Sequence, residues 1–181
     1  GLAGCDLGVE GAKAVADYVR VSGSITSVDV GNNRIGQAAA LELVSIFREK
    51  DQMKSVGLAV CDLGVEGAKA VADYVRVSSS LTSCNVLNND MDVAAAELLV
   101  EAVKGRDISL GGIQPDQTSA NFGLNHLKPP DAVLLASDLS KAGVSGSLTE
   151  VCQIRKVIRT RNLSFLTSLM NNTSMYNTMA G

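Results

Sequence analysis

The chain offers little for chemistry: one histidine, four cysteines, a late basic cluster and rows of small polar residues. His126 is the sole histidine, so a metal cluster or a Ser-His-Asp triad would have to centre on it. It lies at a bend between Asn125 and Leu127, where a solvent-facing turn residue is the simpler reading. Cys5 and Cys61 hold the same place in two copies of one segment. Stacked at strand spacing, their Cα atoms would sit about 10 Å apart, beyond disulfide reach, so both are read as small buried thiols. No P-loop, paired-cysteine zinc motif, HExxH or GxSxG occurs, and Gly111, Gly112 and Ile113 lack the strand-to-helix setting of a phosphate loop. A non-enzymatic protein with no cofactor and no metal is expected.

Charge points the same way. The 181 residues carry a formal net charge of -3, unevenly spread. Residues 1 to 104 hold nine Lys or Arg against fourteen Asp or Glu, whereas residues 152 to 181 hold four against none. Arg155, Lys156, Arg159 and Arg161 form a basic run without interleaved aromatics, so a solvated segment is favoured over a nucleic-acid or membrane contact. No apolar run reaches the roughly 18 residues that span a bilayer. Neither nucleic acid nor membrane is expected as a partner. Asn162, Asn171 and Asn172 satisfy the glycosylation triplet, but nothing else points to secretion. The chain starts at Gly1 inside a repeat unit and without Met, which reads as processing or a fragment, and a cytoplasmic location is expected.

These residues are positioned by a repeat. CDLGVEGAKAVADYVRVS at residues 5 to 22 returns unchanged at residues 61 to 78. Between the copies lies ITSVDVGNNRIGQAAALELVSIF at residues 25 to 47, matched after the second copy by LTSCNVLNNDMDVAAAELLVEAV at residues 81 to 103. Ile25, Met53 and Leu81 are then evenly spaced, at half the separation of the two copies, which defines a 28-residue basic unit.

Each unit changes period partway. Ile25, Val28 and Val30, followed by Asn33 and Ile35, read as a short strand turning through an Asn. Gly67, Ala68, Val71, Ala72 and Val75 recur at helical spacing, and Ala39, Ala40, Leu43, Val44 and Phe47 repeat that stripe one unit earlier. A strand and a helix this small cannot bury their apolar faces alone, so units must stack. Asn33 and Asn89 sit where a side-chain amide can bond backbone groups left unpaired by the turn, and Cys in that place is a weaker version of the same device.

LTSCNVLNNDM at residues 81 to 91 and ITSVDVGNNRI at residues 25 to 35 follow the pattern LxxLxLxxNxL. With the helical segment after them, they resemble the leucine-rich repeat, and the 28-residue length is similar to its ribonuclease-inhibitor-like subclass. The resemblance covers residues 1 to about 151 and implies an α/β solenoid, with parallel β-strands on the concave face and α-helices on the convex face. It also implies protein binding. Some members of the subclass are GTPase-activating proteins for a small nuclear GTPase that act from a rim loop, an alternative for which Arg34 and Arg106 are the available arginines.

Regularity slips after Val103. Gly105, Gly111, Gly112 and Pro115 punctuate residues 105 to 116 as a loop or an irregular unit longer than the repeat. A further unit is expected over residues 117 to 147. Ala120, Phe122, Asn125 and Leu127 give its strand and bend, Pro129 and Pro130 start its helix, and Ala132, Leu135, Ala136 and Leu139 give its stripe. Leu148 and Val151 open another strand. Residues 152 to 181 read as a basic, Ser/Thr/Asn-rich tail or cap.

Strand side chains alternate between faces, so the outward positions define a candidate binding strip. Thr26, Ser27, Asp29 and Asn32 line up with Lys54, Ser55, Gly57 and Ala59, then with Thr82, Ser83 and Asn85. About six strands at roughly 4.8 Å span some 24 Å, enough for a peptide or one edge of a domain. A protein or peptide partner on this concave strip is the expected function.

Overall fold

A computed structural model of the chain describes residues 1 to 114, 117 to 121, 127 to 145 and 150 to 152. The elements alternate: α1 (Gly8–Val21), β1 (Ser27–Asp29), α2 (Gln37–Arg48), β2 (Ser55–Gly57), α3 (Gly64–Val77), β3 (Ser83–Asn85), α4 (Val93–Ala102), β4 (Ser119–Asn121), α5 (Pro129–Ser145) and β5 (Glu150–Cys152). β1, β2 and β3 form a parallel sheet in that order, and β4 pairs in parallel with β5. The register steps by one repeat unit at each strand, Ser27 to Ser55 to Ser83 and Val28 to Val56 to Cys84. Successive helices pack side by side from α1 to α5. This is an α/β repeat solenoid with one layer of parallel strands backed by one layer of helices.

The stripes read from the sequence form the core. Ala39, Ala40, Leu43, Val44 and Phe47 of α2 are buried, as are Gly67, Ala68, Val71, Ala72 and Val75 of α3. They meet Val28, Val56 and Cys84, the inward residue of each strand. The opposite helix faces carry exposed pairs such as Lys69 with Glu66 and Arg76 with Asp73, each contributing little in water.

Between strand and helix the backbone repeats one unusual shape. Gly4, Asn32, Val60 and Asn88 all have positive φ, and so do Asp6, Arg34, Asp62 and Asp90 slightly later in each turn. Asn and Asp tolerate this left-handed region; a β-branched residue does not. Val60 holds φ 55° where the duplicated unit has Gly4 at φ 68°. Val60→Gly therefore removes strain, at the cost of a more flexible unfolded chain. A net gain of about 1 kcal/mol is expected in urea unfolding; a lower midpoint would mean the turn holds no strain at this residue.

The helix starts repeat as well. Gly8, Gly36 and Gly64 have positive φ just where helices begin, and the residue one repeat further on is Asp92. There the device changes to a side-chain cap, Asp92 Oδ1 accepting from Ala95 N at 2.7 Å.

Beyond α4 the sheet continues in a way the spacing does not announce. Ser109 bridges Ser83 in parallel, Cys84 N donates to Ser109 O at 2.7 Å and Val86 N to Leu110 O at 3.0 Å. The step from Ser83 to Ser109 is slightly shorter than the step from Ser55 to Ser83. α4 explains the shortening, having 10 residues against 12 in α2 and 14 in α3.

Two buried acids hold this irregular part. Asp138 of α5 accepts from Ser109 Oγ at 2.7 Å, Leu110 N at 2.8 Å and Gly111 N at 2.6 Å. Burial raises the Asp138 carboxyl above its ordinary value, and those three donors pull it back. Asp131, also buried, accepts from Asn88 N at 2.6 Å and Lys128 N at 2.7 Å, so one side chain caps α5 and ties it to the preceding turn. α5 begins at Pro129 as expected, with Ala132, Leu135, Ala136 and Leu139 buried. Ala120 lies in β4 and is buried, Leu127 is half-buried, and Val151 lies in β5. Phe122, Asn125, His126, Leu148 and the basic run at residues 155 to 161 lie outside the described residues, as does the tail from residue 153 onward.

Candidate functional site

Three short parallel strands position the candidate strip. Their register places Ser27, Ser55 and Ser83 in one row and Asp29, Gly57 and Asn85 in a second. A third row, just before the strands, is joined through the backbone: Lys54 N donates to Thr26 O at 2.7 Å and Thr82 N to Lys54 O at 2.8 Å. Thr26, Ser27, Asp29, Lys54 and Thr82 are exposed, and Ser55 is half-buried. The structure thus puts Ser27 and Asp29 on an open sheet face, with Thr26, Lys54 and Thr82 exposed in a row at the starts of the strands.

Asn32 is set apart from them. It lies in the left-handed turn beyond the strand, exposed, its N–H donating to Ala59 O at 2.7 Å. Its counterpart at the repeat spacing is Val60 rather than Ala59, so it belongs to the rim.

Side-chain chemistry divides the strip further. Asp29 turns back on its own loop, Oδ1 accepting from Gly31 N at 3.0 Å, and Asn85 does the same with Leu87 N at 3.2 Å. Asp29 needs Gly57 beside it, since a Cβ there would stand 2.2 Å from Oδ1. Thr82 Oγ1 donates to Lys54 O at 3.0 Å. Lys54 is the only cation of the strip.

The β3 end is closed. Residues 111 to 114 pass over it, with Gln114 Nε2 near Ser83 Oγ at 3.5 Å and Gly112 so close to Asn85 that a Cβ would meet Nδ2 at 2.8 Å. Ser83 is consequently 2% exposed, and Asn85 is half-covered. The Gly111-Gly112 pair marks a loop in the sequence, but nothing in it tells where that loop lies.

The remaining candidates for chemistry resolve simply. Arg106 is not a rim arginine: its guanidinium donates to the carbonyls of Val75, Arg76 and Ser78, satisfying the C-terminal end of α3. Arg34 is exposed in the left-handed turn. Cys61 and Cys84 are buried thiols, each pushed up to about 12 by burial, so neither is a nucleophile. Cys5 is exposed, contrary to the buried reading, because its unit is the outermost one described. Among the described residues no group of three or more His, Cys, Asp or Glu side chains could hold a metal, and no helix is long and apolar enough to cross a membrane.

The Asn devices are present as expected. Asn33 Nδ2 donates to Leu2 O at 2.8 Å and Val30 O at 2.9 Å, while its Oδ1 accepts from Leu7 N at 3.1 Å. Cys61, one unit on, reaches Val30 O from Sγ at 3.3 Å.

Parallel strands stacked in register, helices packed behind them, and buried Asn33, Cys61 and Asn89 bonding across units at three successive turns define a leucine-rich-repeat solenoid. No family model matches the chain. It is similar to mouse ribonuclease inhibitor, 24% identical over 103 residues, which is 56% of this chain and 23% of that protein. It is also similar to human NACHT, LRR and PYD domains-containing protein 13, 24% identical over 103 residues covering 57% of this chain and 10% of the relative. Mouse NACHT, LRR and PYD domains-containing protein 12 is 24% identical over 101 residues, 55% of this chain and 10% of the relative. The chain therefore spans less than a quarter of the length of these relatives. Among solved structures it resembles leiomodin-1 actin-binding site 2, with TM-score 0.51 and 14% identity over 90% of this chain and 84% of that one, a likeness of fold alone.

Proposed function

We propose that the chain is a non-enzymatic protein-interaction scaffold that takes a protein or peptide on the concave side of its sheet. The observation that carries this reading is the exposed set of Ser27 in β1 and Thr26, Lys54 and Thr82 just before β1, β2 and β3, held in register by the backbone ladder. The relatives support it at a coarser level, one being named an inhibitor of ribonuclease and one solved structure an actin-binding site.

The covered β3 end shifts the contact toward β1 and β2, with Asn32 at its rim. The strip is small and mostly neutral, so its partner is a peptide or one edge of a domain that presents an acidic group to Lys54. Buried aromatic or Arg anchors of the kind that dominate tight interfaces are missing from these residues, so the partner must supply them.

A photo-crosslinking residue placed at Thr26, Lys54 or Thr82 of the protein should trap one partner. The same residue at Lys13 or Lys69, on the outer helix faces, should not. Equal capture from the helix positions removes the concave face as the site.

A further inference from the structure

The concave face already holds one occupant, a piece of the chain itself. Residues 111 to 114 cross the outward side of β3, and the two residues they cover are those whose counterparts on β1 lie open: Ser83 is buried where Ser27 is exposed, and Asn85 is half-covered where Asp29 is exposed. We propose that this segment is an autoinhibitory strap, which keeps β3 out of the binding strip until a partner peptide displaces it and engages three strands instead of two. This regulation rests on the concave-face reading above.

The hold on the segment is uneven. Behind it the chain is fastened to α5, where Asp138 takes Ser109 Oγ, Leu110 N and Gly111 N, and Lys141 Nζ donates to Ile108 O at 2.9 Å. Beyond Gly111 that fastening ends. Among the described residues no hydrogen bond joins residues 112 to 114 to the backbone of β3. Their one polar contact with the strand is Gln114 Nε2 to Ser83 Oγ at 3.5 Å, longer than a good hydrogen bond, and the same amide turns back to Gly112 O at 3.3 Å. Gly112, at φ 80°, stands where fastened chain gives way to loose chain, and a glycine can swing there at little steric cost.

Ile113 is what keeps the strap down. It is 6% exposed and belongs to the core, whereas Gln114 after it is exposed. A segment held by one aliphatic side chain and one long hydrogen bond yields to a competitor that supplies the same pair. Its own residues describe that competitor. A glycine must lie over Asn85, since a Cβ there would stand 2.8 Å from Nδ2. An aliphatic residue follows it, and then an amide side chain directed at Ser83.

Ser83→Cys places a reporter thiol under the strap, next to Cys84, which is 0% exposed on the inward side of the same strand. Labelling by a thiol reagent, read by fragment mass, then separates strap opening at position 83 from unfolding of the unit at Cys84. In native buffer position 83 should label at least about 100-fold faster than Cys84, and Ile113→Ser should speed it at least about tenfold more while leaving Cys84 unchanged. Gln114→Ala, at an exposed site that leaves the core intact, should act in the same direction by about threefold. Octapeptides selected from a random library on the Ile113→Ser chain should protect position 83 and carry the order glycine, aliphatic, amide. The chain with Ile113 in place should bind them at least about tenfold more weakly. Selected peptides that bind both chains alike, or a selection that yields none, would overturn the proposal. Equal labelling of position 83 and Cys84 in every variant would make the segment a fixed part of the core, removing the strap and leaving the concave face standing. Selected peptides that leave position 83 reactive would instead take away the concave face as the site, and the strap's role with it.

Discussion

Val71→Asp should unfold the array across α2, α3 and α4 together. Val71 is 0% exposed, inside the stripe where α3 meets its neighbours and the sheet. An aspartate there either stays charged without a partner or takes up a proton, and both are costly on top of the packing lost, in all at least about 4 kcal/mol. Stability in a solenoid is a sum of unit and interface terms, so loss of one central unit also removes an interface on each side. The duplication supplies the controls. Val15, the same residue in the first copy, lines an open trough of about 400 Å³ beside α1, so Val15→Asp should melt only the first unit and leave exchange protection in α3 and α4 intact. Val77→Asp, at a site 58% exposed, should change stability by no more than about 0.5 kcal/mol. Urea unfolding followed by circular dichroism, with amide exchange resolved by element, separates these outcomes. Equal behaviour of Val71→Asp and Val77→Asp would mean that the stripe is misassigned.

Residues whose role is repeated could be read from the sequence. Leu43, Val71 and Ala96 are each one instance of a position that recurs in every unit, so a period alone places them in the core. Val28, Val56 and Cys84 are read the same way despite the change of residue type, because alternation along the strand decides which face they take. Roles that occur once were not legible. Asp131 and Asp138 look like ordinary acids on a helix, and only the tertiary arrangement brings backbone donors onto them. Arg106 looks like a rim residue for the same reason; the end of α3 it caps lies a full repeat earlier in the chain.

The candidate site divides along the same line. Ser27 is where alternation puts it, and Thr26, Lys54 and Thr82 follow from register as the residue before each strand. Ser83 obeys the alternation yet is buried, because a loop outside the period lies over it. Periodicity reports which face a side chain takes, and it is silent about what a later segment lays on that face. The usable surface is therefore narrower than the repeat implies.

Asn89→Ala should be the most damaging polar substitution in the molecule. Its amide is 1% exposed and fully used: Oδ1 accepts from Cys61 N at 2.9 Å and Leu63 N at 3.2 Å, and Nδ2 donates to Leu58 O at 2.7 Å, Val86 O at 2.9 Å and Leu87 O at 3.3 Å. Three of those partners belong to the preceding unit, so the side chain joins two units as well as closing its own turn. Alanine leaves both N–H groups and at least one carbonyl buried without a partner, at about 1 to 3 kcal/mol each, or about 4 kcal/mol after partial relaxation. Cys61 holds the same place one unit earlier with a single soft donor, 3.3 Å from Val30 O and 3.6 Å from Ala59 O. Cys61→Ala should cost only about 1 kcal/mol, and Asn89→Cys should fall between the two alanine variants. The order of the three urea midpoints checks the account directly. If Asn89→Ala cost no more than Cys61→Ala, the turn backbone would be held by the sheet ladder alone, and the Asn of the repeat would be dispensable at its most enclosed position.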